Sequence, residues 1–79
     1  MEPEFVLAKV QTIVKDILDN EDIIVSRNTV ASDIDEWDSL AHIQLVVAME
    51  NEFGVRFTSR EIQTWKNVGE IIDCIVSKQ

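Results

Sequence analysis

Between Phe5 and Leu18 apolar side chains recur at Val6, Val10, Ile13, Val14 and Ile17. These positions share one face of a helix with 3.6 residues per turn. Pro3 suits the first turn of that helix, where its missing N–H costs nothing. The pattern stops at Asp19-Asn20-Glu21-Asp22, whose short polar side chains compete for backbone hydrogen bonds. Residues 23 to 37 change character. Ile23, Ile24 and Val25 are β-branched, but Ser26-Arg27-Asn28-Thr29 breaks the run and no second strand pattern follows for pairing. The segment reads as a long ordered loop pinned by Ile24, Val30 and Ile34, of a length that tends to be functional. Asp38 is placed to cap a helix running from Ser39 to Phe53, with Gly54 as its left-handed stop. Thr58-Ser59-Arg60-Glu61 is a capping box opening a short third helix through Ile62 to Trp65. Asn67 and Glu70 repeat the device before a last helix with an apolar stripe of Val68, Ile71, Ile72 and Ile75. The expected fold is all-α: a four-helix bundle with a long first loop and a short third helix, one domain over residues 1–79.

The second helix departs from a simple amphipathic pattern. At 100° per residue from Ser39, Leu45, Val46, Met49 and Phe53 occupy one apolar arc between roughly 240° and 340°, and Leu40, Ile43 and Val47 a second between roughly 40° and 100°, with Ser39 and Glu50 between them. Either the helix is central and both arcs are core, or the second arc is a docking surface. That second arc begins beside Ser39, at a helix N-terminus whose free N–H groups and dipole favour an anion such as a phosphate ester.

Charge narrows the partners. Fifteen Asp and Glu against seven Lys and Arg give a formal net charge of −8 in 79 residues. The cations Lys9, Lys15, Arg27, Arg56, Arg60, Lys66 and Lys78 are scattered singly, so nucleic acid and anionic membranes are not expected partners. Proteins with basic docking patches are. Cys74 stands alone, which excludes an internal disulfide and a Cys-rich zinc framework. Its simplest role is a small buried hydrophobe. The acidic opening Met1-Glu2-Pro3-Glu4 does not read as a leader, and no apolar run approaches the ~20 residues of a membrane span, so a cytoplasmic location is expected. Asp33, Asp35, Glu36 and Asp38 crowd four acids together, but an EF-hand counted from Asp33 would place Asp38 at its glycine and Gln44 at its closing glutamate. No metal site is expected. His42 is the one candidate base near Ser39, and no orienting third group or oxyanion loop accompanies it, so a hydrolytic pair is not expected.

The run Glu36-Trp37-Asp38-Ser39-Leu40, continuing through Ile43, Leu45 and Met49 to Glu50-Asn51-Glu52-Phe53-Gly54-Val55, resembles the acyl carrier proteins of fatty-acid and polyketide synthesis. The resemblance covers the whole chain, including the acidic balance, the helix order and the short third helix after Phe57-Thr58. It implies a non-catalytic carrier with Ser39 esterified by 4'-phosphopantetheine, taken from coenzyme A through a phosphopantetheinyl transferase. The arm's thiol would hold acyl groups as thioesters for acyl-loading and acyl-processing enzymes. Asp38 would cap the helix and also present Ser39 and metal-bound coenzyme A to the transferase. Leu40, Ile43 and Val47 would be apolar partner contacts, with Glu50, Glu52 and Glu61 among the acidic ones. Val46, Met49, Phe57, Ile62, Trp65 and Ile71 would line an acyl cavity, unless bulky Phe57 and Trp65 fill it. A free monomer suits a carrier that visits several enzymes in turn. Ala41, Gln44 and Asn51 depart from well-studied fatty-acid carriers. Trp37 looks more like stand-alone carriers of specialised pathways, or simply packs the loop end, its indole N–H meeting a carbonyl. The rival classes are an aminoacyl, peptidyl or D-alanyl carrier sharing the modified serine, and an unmodified acidic helical adaptor.

Overall fold

A computed structural model describes residues 2–78; Met1 and Gln79, the two ends of the expected 1–79 domain, lie outside the described residues. Its order is α1 (Pro3–Leu18), a 3-10 turn (Ala31–Asp33), α2 (Ser39–Phe53), α3 (Ser59–Thr64) and α4 (Val68–Lys78). Among the described residues no strand forms. The architecture is the all-α, four-helix one expected.

α1 starts with Pro3 in its first turn and buries Val6, Val10, Ile13, Val14 and Leu18. It ends at Asp19, which adopts the left-handed conformation at φ 53° while Asn20 N–H closes back on the Lys15 carbonyl at 3.1 Å. α1 packs against both α2 and α4. Leu45, Met49 and Phe53 of α2 and Val68, Ile71, Ile72 and Ile75 of α4 complete one contiguous core. Each fully buried aliphatic side chain contributes about 1.5–3 kcal/mol relative to exposure. That core holds α2 by a single face. Thr58 and Glu61 form the expected reciprocal box at the start of α3, and Trp65 stands just past its end, one residue earlier than expected.

The long first loop is pinned differently from the expectation. Ile24 is 81% exposed, whereas Ile23 and Val25 are buried. Burial alternates along these three residues, as it does where neighbouring side chains point to opposite sides. Turning two of the three inward wins over turning one. Gln11 of α1 fixes that register by accepting the Val25 N–H on its side-chain oxygen at 3.0 Å. Val30 and Ile34 are half-buried. Further along, the Thr29 carbonyl accepts from Val68 N–H at 2.9 Å and the Arg27 carbonyl from Gly69 N–H at 2.8 Å. The loop is therefore bonded to the first turn of α4. Gly69 permits this close approach, since a Cβ there would lie 2.9 Å from the Arg27 oxygen.

Candidate functional site

Asp38 stops the chain in extended conformation and accepts the Ala41 N–H on its carboxylate at 2.8 Å, while its carbonyl accepts from His42 N–H. Helix α2 thus begins at Ser39, as expected. One of its orphan donors is capped by Asp38. The N–H groups of Ser39 and Leu40 meet no acceptor among the described residues, and both residues are exposed. Ser39 Oγ likewise makes no hydrogen bond among those residues. Two unpaired backbone donors beside an exposed hydroxyl, at the positive end of a 15-residue helix, suit a phosphate ester attached to that hydroxyl.

Beside Ser39 lies an open groove of about 570 Å³ lined by Ala31, Trp37, Asp38, Ser39, His42 and Ile43. His42 lies on the core-facing side of α2 and is half-buried. Trp37 donates its indole N–H to His42 Nδ1 at 3.1 Å, in place of the carbonyl expected, and the two rings stack at 6.1 Å. Trp65 meets His42 edge-on at 6.3 Å and Phe57 edge-on at 4.9 Å. Contacts of this kind are worth about 0.5–1.5 kcal/mol each beyond burial. Burial pushes His42 below its usual imidazole range. Its Nδ1 is the acceptor for Trp37, so the lone pair facing that side is not free to serve as a base for Ser39.

The two apolar arcs of α2 have different fates. Leu45, Val46 and Met49 are buried, while Leu40, Ile43 and Val47 are 66%, 61% and 50% exposed. Helix α2 is therefore not a central helix buried all round. The acids expected at a docking surface divide further. Glu50 is half-buried and accepts the Phe57 N–H at 2.8 Å, tying the loop after α2 back to the helix. Glu52 pairs with Lys9 of α1 at 3.6 Å, about 150° round the helix from the exposed arc. The Glu61 carboxyl is lowered from its usual carboxylate value, first by the Thr58 N–H and then by Lys78 at 3.0 Å.

Among the acyl-cavity candidates, Trp65 and Ile71 line a half-open pocket of about 60 Å³ between the first loop, α2 and the start of α4. Val46, Met49, Phe57 and Ile62 do not. Sequence reasoning missed Thr29, Ala31 and Val68 as wall residues, because the loop reaches α4 only through backbone bonds that no side-chain pattern announces. Cys74 is half-buried and not fully enclosed; its thiol lies 3.6 Å from Glu61 Oε2, and burial together with that carboxylate pushes its pKa up. Among the described residues no group of three or more His, Cys, Asp or Glu could hold a metal ion, and no helix is long and apolar enough to cross a membrane.

Fold and site together define a small acidic helical bundle that offers one exposed serine at an open helix end. Comparison with known proteins agrees. The family model for the phosphopantetheine attachment site matches residues 8–75. An acyl carrier protein from Thermosynechococcus vestitus is 35% identical over 92% of this chain and 90% of its own length. Among solved structures, a holo acyl carrier protein from Geobacter metallireducens superposes with a TM-score of 0.87 at 37% identity, covering 92% of this chain and 84% of that one. A second, a putative acyl carrier protein from Mycobacterium tuberculosis, gives 0.81 at 26% identity, covering 91% and 96%. The chain belongs to the acyl carrier protein family, whose members carry covalently attached 4'-phosphopantetheine and act as carriers for acyl-processing enzymes.

Proposed function

We propose that Ser39 is the attachment point of the 4'-phosphopantetheine and that the chain is a non-catalytic, cytoplasmic, monomeric carrier of acyl groups. The observation that carries this is the pairing of the exposed Ser39 hydroxyl with the unpaired N–H groups of Ser39 and Leu40 at the start of α2. Those donors would hold the phosphate oxygens, and the dipole of α2 would favour their charge. When bound, the group supplies a terminal thiol on which an acyl chain rides as a thioester. Ser39 needs no base of its own for this; a phosphopantetheinyl transferase brings one, together with coenzyme A. Asp38 fixes the turn that exposes the hydroxyl. Its carboxylate, beside Ser39 in sequence, would also help present the hydroxyl to the transferase.

Leu40, Ile43 and Val47 form the apolar part of the docking surface for the transferase and for the acyl-loading and acyl-processing enzymes. The net charge of −8 draws basic patches toward it. Glu50 contributes charge from a fixed position and Glu61 from α3, while Glu52, about 150° round α2 from this arc, adds only to the overall negative field. Intact-protein mass spectrometry after incubation with coenzyme A and a broad-range transferase tests the reading. One phosphopantetheine should be added to the wild-type chain and none to Ser39→Ala, which should keep its helical signal because Ser39 is exposed. Addition to Ser39→Ala, or none to the wild type, would overturn it and leave the unmodified adaptor.

A further inference from the structure

Helix α1 carries a second stripe beside the one it buries. Phe5, Ala8, Lys9, Thr12 and Asp16 stand at i, i+3, i+4, i+7 and i+11, within an arc of about 100° that excludes the core residues Val6, Val10 and Val14. Together with Ile13 and Ile17, and with Ala48, Asn51 and Glu52 of α2 across the seam, they line two open hollows. The hollows share Ile13, Asp16 and Glu52, so they form one groove between α1 and α2. Phe5, 52% exposed, marks its end, well apart in the sequence from the exposed arc of α2. Most polar groups here are already engaged. Thr12 donates its hydroxyl to the Ala8 carbonyl at 3.1 Å, and Lys9 lies 5.6 Å from the centre of the Phe5 ring while pairing with Glu52 at 3.6 Å. Of the charged groups lining the groove, the Asp16 carboxylate is left without an ion pair among the described residues.

We propose that this groove docks a basic amphipathic helix of a partner protein, its apolar side chains laid between Phe5 and Ile17 and a Lys or Arg set opposite Asp16. From Phe5 to Ile17 the groove runs about 18 Å, the length of about three helical turns. A third helix fits the seam between two others by setting its ridges into their groove. Among the described residues no strand offers an edge to an extended peptide. Charge selects the occupant. Glu52 neutralises Lys9 and leaves Asp16 open, and the net charge of −8 attracts a cationic segment while repelling a second copy of this chain. Ala48 and Glu52 lie about 14 and 20 Å along α2 from Ser39, so the docked helix leaves the start of α2 clear. Resting on the reading of Ser39 above, the seam is then a holding site: one partner keeps the carrier while the prosthetic arm visits another enzyme.

The test titrates the 15N-labelled chain with two synthetic helical peptides of about three to four turns, each with one leucine stripe, the other positions being Lys in one peptide and Glu in the other. The Lys peptide should shift the amides of residues 5–17 and 48–52, and the Glu peptide should not bind. Phe5→Ala should weaken the Lys peptide about tenfold, as loss of an aromatic anchor does, and Asp16→Asn about two- to fivefold, as loss of a surface ion pair does. Both positions are exposed, so both variants should keep the helical signal of the wild type. Shifts confined to Leu40, Ile43 and Val47, equal binding of the Glu peptide, or unchanged affinity in both variants would overturn the proposal. Self-association of the chain in sedimentation that Phe5→Ala abolishes would overturn it too, by giving the groove to a second copy. With the Lys peptide at saturation, phosphopantetheine transfer should proceed at the rate seen without it, and a block would overturn the holding role. Absence of transfer without any peptide counts against Ser39 as the attachment point and leaves the docking result standing.

Discussion

Helices α2 and α4 begin with the same physical problem and solve it in opposite ways. At α4 the first donors are all engaged: Val68 N–H by the Thr29 carbonyl, Gly69 N–H by the Arg27 carbonyl, and Glu70 N–H by the Asn67 side chain at 3.0 Å. At α2 only Ala41 N–H is capped, by Asp38, and the Ser39 and Leu40 donors are left to solvent. The stoppered end anchors the long first loop and so holds Thr29 and Ala31 at the half-open pocket beside α4. The open end has donors to offer a phosphate. A helix N-terminus is an anion site only where the chain has not already used its N–H groups.

The strongest way to break this contrast is to disturb the stopper. In Gly69→Ala the added methyl would lie 2.9 Å from the Arg27 oxygen and 3.2 Å from the Arg27 Cβ. Alanine gains up to about 1 kcal/mol in helix propensity, but overpacking against fixed backbone costs about 1–3 kcal/mol. The clash should win by about 1–2 kcal/mol in chemical denaturation, and the Trp37 fluorescence should shift as the loop moves. A neutral or stabilised variant would mean that the loop is not held at α4.

Disturbing the open end should have a smaller effect on stability and a larger one on modification. Asp38→Ala removes one cap, worth about 1 kcal/mol. Phosphopantetheine transfer should fall several-fold under conditions where the variant remains folded. A transfer rate equal to the wild type would confine Asp38 to its capping role.

The smallest effect is electrostatic. His42 has its folded pKa depressed by burial, so the unfolded chain takes up the proton first as pH falls. The stability linked to this group is fully present above about 6.5, the ordinary imidazole value, and is lost as pH drops from there toward the folded value. Protonation at Nδ1 also removes the acceptor for Trp37. The expected decline in thermal midpoint through that window should be smaller in His42→Gln. An identical pH profile in the variant would show that His42 does not carry it.

Much of this was legible in the sequence because it is local. The period of α1, the Asp38 cap, the left-handed Gly54 at φ 65° and the Thr58–Glu61 box each depend on residues within a few positions of one another. The two arcs of α2 were legible too, although periodicity alone could not say which one the bundle would cover. What escaped depends on distant partners. Gln11, fourteen residues away, decides that Ile23 and Val25 turn inward and Ile24 outward. Glu50 reads as a surface acid until the Phe57 N–H arrives to bond it. Glu70 reaches Lys66 N–H at 3.2 Å instead of the Asn67 N–H that a reciprocal box would use, a difference of one residue that pattern cannot resolve.

The contrast between the two helix ends is tested most directly by amide spectra of the 15N-labelled chain before and after transfer of phosphopantetheine. The Ser39 and Leu40 resonances should move most, while Val68, Gly69 and Glu70, already bonded to the loop and to Asn67, should stay in place. Modification that leaves Ser39 and Leu40 unmoved, or that shifts the α4 amides instead, would contradict the account.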